Sequence, residues 1–93
     1  MVVGLLTVEL HISGSQSLKE KRMVMRRIKD RLKKFNVAVS EVEHQDLWQR
    51  GTLAVVTVST DEKLADRELA AVADEIERVE PGLITRTGVE FLT

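Results

Sequence analysis

The spacing of apolar residues along this chain switches between period 2 and period 3.6, and the order of the switches leaves few folds open. Residues 2–12 alternate: Val2, Gly4, Leu6, Val8, Leu10 and Ile12 share one face, while Val3, Leu5, Thr7, Glu9 and His11 share the other. That is a strand with one dry face and one that turns polar toward its end. Ser13-Gly-Ser-Gln-Ser17 has loop composition. From Leu18 to Phe35 the period becomes helical, with Leu18, Met25, Ile28, Leu32 and Phe35 on one stripe and Val24 beside it. Ser17-Leu-Lys-Glu20 is a capping box at its start, and Asn36, which tolerates the left-handed conformation, is the expected stop. Lys21 falls on the apolar side, where its stem can lie on the core while its amine reaches out to water.

Residues 37–44 alternate again, with Glu41 and Glu43 on one face and Val42 on the other. A polar connection, Gln45 to Gly51, leads to TLAVVTVS at 52–59, whose β-branched content marks a central strand paired as a hairpin. Ser59-Thr-Asp-Glu62 is a second capping box, followed by a helix to Val79 with Ala65, Leu69, Val72, Ile76 and Val79 as its stripe. Pro81-Gly82 ends that helix, and 83–92 is a last strand in which Gly88 suits a bulge. The order β-α-β-β-α-β predicts an α+β, ferredoxin-like fold: a four-stranded antiparallel sheet with two helices on one face. At 93 residues the chain, 1–93, makes one domain.

The chain has no cysteine, which excludes disulfides and thiolate metal sites. No apolar run is long enough to cross a bilayer, and the start, MVVGLLTVELHI, lacks a basic leader region, so a cytoplasmic protein with no membrane partner is expected.

Charge is sorted unevenly. Of the fourteen Lys and Arg residues, nine lie in the first helix, whose only acids are Glu20 and Asp30, while the remainder of the chain is acidic. Lys19, Arg22, Arg26, Lys29 and Lys33 recur at helical spacing, with Arg27 and Lys34 widening the flank; Met23 is an unexpected apolar residue within it. The second helix shows an acidic outer face of Asp66, Asp74, Glu75, Glu77 and Glu80. A charged helix face is ordinarily a solvated one. Here, though, like charges one turn apart repel, and a polyanionic partner would offset that cost.

Three stretches, VVGLLTVELHI, SLKEKR and EVEHQDLWQRG, together resemble the bacterial YlxP-like family, whose members are small domains of unknown function. The resemblance implies a ferredoxin-like fold and supplies no reaction, cofactor or catalytic residue. It also implies a setting, because genes of this family often lie beside translation-initiation and ribosome-maturation genes, which points toward ribosomal RNA or a ribosomal protein.

Three groups of residues are candidates for function. The basic flank, Lys19, Arg22, Arg26, Arg27, Lys29, Lys33 and Lys34, suits phosphate binding, with the helix N-terminus behind Ser13–Ser17 as a further source of donors. A pI near 6.1 argues against a strong, general nucleic-acid binder. Trp48 and Arg50 in the hairpin connection suit a partner contact; Trp48 otherwise folds back over the core edge or a dimer seam. Glu9, His11, Glu41, Glu43 and Glu90 are expected on the open sheet face with Thr7, Thr57, Ser59 and Arg86, near His44 and Asp46. They lack any metal-ligand spacing, and a wet or dimeric surface is the plainer reading. RNA-recognition motifs stack bases on sheet aromatics, but the third strand here has none. The loop after the first strand has one Gly and no Arg, unlike the phosphate cradle of acylphosphatases. The sequence therefore predicts a non-enzymatic, cofactor-free, RNA-binding or ribosome-associated domain acting through its first helix. The alternative is a protein–protein module: a homodimer through the open sheet face and the Trp48 hairpin, or a grip on an acidic protein.

Overall fold

A computed structural model describes residues 1–92. Its elements run β1 (Val2–His11), α1 (Leu18–Leu32), β2 (Ala38–Glu43), β3 (Arg50–Ser59), α2 (Glu62–Val79) and β4 (Ile84–Leu92). The strands form one sheet in the order β2-β3-β1-β4, each neighbouring pair antiparallel. This is the ferredoxin-like α+β arrangement that the period switches predict.

The dry face of β1 carries Leu6, Val8, Leu10 and Ile12, all buried, and pairs across β3 with Val55, Leu53 and Gly51. Onto this face α1 lays Met25, Ile28 and Leu32, and α2 lays Ala65, Leu69, Val72 and Ile76. Two glycines bring the helices close. A Cβ at Gly4 would meet Leu69 Cδ1 at 3.0 Å, and one at Gly51 would meet Met25 Cε at 3.0 Å and Lys21 Cε at 3.5 Å. Contact with Gly51 sets α1 over the β3 side of the sheet, and contact with Gly4 sets α2 over β1.

Several local expectations are corrected. The first helix stops at Leu32; Lys33 to Phe35 follow as turns, with Phe35 N–H donating to the Leu32 carbonyl, and Asn36 is not left-handed. Instead, Asn36 N–H donates to the Glu68 carboxylate at 2.9 Å, and the Asn36 carbonyl accepts from the Thr57 hydroxyl. The second helix is capped by Asp61, whose carboxylate accepts from Leu64 N–H at 2.9 Å, two residues beyond the expected Ser59. In β4 the register shifts where Glu9 pairs with Arg86 and Leu10 with Ile84, so the extra residue is Thr85; Gly88 pairs regularly with Thr7.

Candidate nucleic-acid interface

The basic flank is built as its spacing predicts, but part of it is consumed inside the molecule. Arg27 pairs with Glu80, just past α2, at 2.6 Å, Lys34 with Glu75 of α2 at 3.3 Å, and Lys33, just past α1, with Asp30 of that helix at 3.2 Å. The acids of α2 thus offset a share of the self-repulsion in α1. Among the described residues, Lys19, Arg22, Arg26 and Lys29 form no ion pair. A groove of about 350 Å³ lined by Arg22, Met25, Arg26, Lys29, Asp30, Lys33 and Glu41 runs between α1 and the edge strand β2. The unexpected Met23 is exposed at the opposite flank, where it helps to line a second depression with Arg27 and Glu80.

The helix N-terminus is less available than its loop composition implies. Ser17 Oγ accepts from Glu20 N–H at 3.1 Å, and the Glu20 carboxylate reaches back to accept from Gln16 N–H at 2.5 Å. A carboxylate already lies where the helix end would attract a phosphate, and its charge opposes a second anion there.

The most consequential departure concerns Lys21. Its amine does not reach water: the residue is 1 % exposed and ranks among the largest fully buried side chains. Its stem passes beside Gly51, and the ammonium is held 2.9 Å from the Glu41 carboxylate while donating to the His44 carbonyl. Glu41 is therefore not on the open sheet face. It pairs with Leu53, which faces the helices, whereas after a register shift Glu43 pairs with Thr52, on the other face. The bulge breaks the alternation that had put both acids on one side. Thr57 and Ser59 are corrected in the same sense. Thr57 pairs with Gly4 and is buried, and Ser59 pairs with Val2 two residues along the same face.

The Lys21 contact also fixes the hairpin. His44 is the one non-glycine residue with positive φ among those described, at 64°, and its carbonyl accepts from Leu47 N–H as well as from Lys21. At the other end of the connection, the Gln49 carbonyl accepts from Ile12 N–H at 2.9 Å, and the Gln49 side-chain amide donates to the Ser15 carbonyl at 3.1 Å. Between these anchors Trp48 stands 52 % exposed, so it does not fold back over the core edge. With His11, Asp46, Leu47, Gln49 and Arg50 it borders an open depression of about 480 Å³.

On the open face Glu9 lies 3.8 Å from Arg86. Of the aromatic residues, Phe91 pairs with Gly4 and faces the helices, and Phe35 packs against the core, so neither provides a stacking surface there. Among the described residues no three His, Asp or Glu side chains are grouped to hold a metal ion. Elsewhere Glu75, 7 % exposed, meets Arg78 at 2.5 Å as well as Lys34, correcting its expected place on an outer acidic face. The Arg78 guanidinium, helped by Lys34 and opposed by burial, holds the Glu75 carboxyl below the usual carboxylate range.

The profile of a family described as a protein of unknown function, DUF503, matches residues 3–88. The chain belongs to the DUF503 family. It is 40 % identical over 93 residues to the uncharacterised protein YlxP of Bacillus subtilis strain 168, covering 92 % of this chain and 97 % of that one. Among solved structures, the de novo designed protein Foldit4 superposes with a TM-score of 0.55 at 15 % identity, over 99 % of this chain and 96 % of the design. SnoaB, a cofactor-independent oxygenase from Streptomyces nogalater, gives 0.53 at 16 % identity, over 99 % and 91 %. At such identities these two likenesses speak to the fold alone. Among the described residues of this DUF503 chain, no helix is long and apolar enough to cross a membrane.

Proposed function

We propose that this domain acts by binding and not by catalysis, and that it holds RNA, with ribosomal RNA the class its family setting implies, along the row Lys19, Arg22, Arg26 and Lys29. One observation carries the reading: these four cations stay without an acidic partner while their neighbours Arg27, Lys33 and Lys34 are paired. Three of them border one groove beside β2, one helical turn after another. Phosphates along a strand match a row of cations on one line, and Arg adds forked donation to phosphate oxygens. The paired cations and the Glu20-filled helix end drop out of the footprint. At a net charge of −1 the chain as a whole does not attract a polyanion, so the attraction must come from local clusters such as this row.

Salt dependence tests this reading. Three to four phosphate contacts on single-stranded RNA give a log–log slope of about −2 to −3, an affinity loss of roughly 20- to 50-fold between 50 and 200 mM salt. Titration of a labelled RNA oligomer by fluorescence anisotropy should return that slope, and R22E/R26E/K29E should abolish binding with its far-UV circular dichroism unchanged. Binding that is indifferent to salt and to the triple reversal would remove the proposal.

A second reading is favoured by the open sheet face, where Val58 and Leu92 are 53 % and 56 % exposed beside the half-buried Val3, Leu5 and Val56. A second copy of the chain covering this patch would bury it. Sedimentation equilibrium should then show a dimer that V58E dissociates; a monomer at all concentrations would dispose of it.

A further inference from the structure

We infer that the β2–β3 hairpin tip is a stacking platform for one unpaired base of the RNA, with the Trp48 indole as its surface and Arg50 beside it. This rests on the RNA reading above and says which form of RNA the site takes: single-stranded, because a paired base has no free face to offer.

The tip adjoins the N-terminal end of the basic row, and its depression opens toward the other face of the sheet, where His11 pairs with Arg50. β2 runs along the groove that Arg22, Arg26 and Lys29 line and leads directly into the tip. The first turn of α1 is fastened to it by the bond from Lys21 to the His44 carbonyl, and the loop before α1 by the Gln49 side chain. A strand whose phosphates follow the row reaches Trp48 by passing round the sheet edge at the start of α1, where these bonds hold the tip.

The exposure of Trp48 is not that of a loose loop. The left-handed His44, its two accepted hydrogen bonds and the backbone bond at Gln49 hold the connection at both ends, so the ring is presented at little further entropic cost. Its surroundings suit a nucleobase. The depression is open on one side, as a flat ring entering edgewise requires, and it sets one π surface among polar groups: the Arg50 guanidinium, the His11 imidazole, the Gln49 amide and the Asp46 carboxylate. Stacking on an aromatic is tolerant of base identity, and a guanidinium alongside adds a cation–π contribution. Leu47 is the one other apolar side chain that lines it.

Trp48 is the only tryptophan in the chain, so its emission reports on this site alone. The full chain is titrated with a twelve-nucleotide oligoadenylate, with a duplex RNA of the same length and with inorganic polyphosphate. The oligoadenylate should quench the emission and bind tightest; the duplex and the polyphosphate should bind through the row and leave the emission unchanged. W48A should lose about tenfold or more in affinity for oligoadenylate alone, with its salt slope intact, and W48F should recover most of the loss. If oligoadenylate binds with the expected salt slope but without quenching, or W48A binds it as well as the parent, the platform is overturned and the basic-row reading stands. If none of the three polyanions binds, both fall together. Emission that follows protein concentration and ignores RNA would assign the tip to a protein contact and overturn the platform.

Discussion

Removing the carboxylate of Glu41 tests the buried ion pair on which the α1–hairpin junction depends. In E41A the Lys21 ammonium keeps its bond to the His44 carbonyl but loses its only acidic partner within a site that is 1 % exposed. Breaking a buried pair on one side costs about 3–5 kcal/mol, because the surviving charge is left desolvated. Glu41 itself is 18 % exposed, so water can enter part of the space it vacates, and the lower end, about 3 kcal/mol, applies. A domain of this size has a total stability of roughly 5–14 kcal/mol, so the loss is a large fraction of it. At about 4–8 °C per kcal/mol the midpoint should fall by some 12–24 °C. K21M is predicted to cost less, about 1 kcal/mol. It removes the more deeply buried of the two charges, keeps the stem that packs at Gly51, and leaves Glu41, 18 % exposed, to turn its carboxylate toward water. K21M/E41L, with both charges gone, should be near neutral. The three variants are compared by urea unfolding monitored by circular dichroism, closing a double-mutant cycle. The reasoning is refuted if E41A costs under about 0.5 kcal/mol, or if K21M is the more damaging of the two single changes.

Two further outcomes follow from the helix pair. The Glu75 carboxyl is depressed chiefly by Arg78, so its stabilising contribution is present above the ordinary carboxylate value of 4.5 and is lost as pH falls through the lower folded value. E75Q should flatten the acid limb of the stability–pH curve, and an unchanged limb would show that the pairing does not persist in solution. Replacing Asp61 by Ala removes the side-chain acceptor for Leu64 N–H and should cost about 1 kcal/mol in the same unfolding assay; D61N, which keeps an acceptor, should recover most of it.

The sheet, both helices and the core stripes were legible because burial on one face imposes its period on the residues that supply it. Leu6, Val8 and Leu10 at spacing two, and Met25, Ile28 and Leu32 at spacings of three and four, are buried as that argument requires. The sorting of cations into α1 was equally plain, as was the exclusion of cysteine chemistry. What periodicity misread were positions where a bulge or a contact between distant elements intervenes. Glu41 and Glu43 share a parity in the sequence and lie on opposite faces, because the register with β3 shifts between them. Thr57 is a polar residue that burial claims once the distant Asn36 carbonyl supplies its partner, and Glu75 one that Arg78 on its own helix and the distant Lys34 pair.

Lys21 marks the boundary between the two kinds of information most sharply. Its place on the apolar side of α1 is a matter of counting residues along one helix. Whether its amine turns out to water or in toward Glu41 and the His44 carbonyl depends on groups 20 and 23 residues away in the chain. The same holds for the basic flank. The sequence determined that seven of the nine cations in residues 18–35 would share one flank, whereas only the packing of α2 beside it decided that Arg27 and Lys34 are spent on Glu80 and Glu75. Helical spacing is a property of one element; pairing of charges is a property of two, and it exists only once the chain has brought them together.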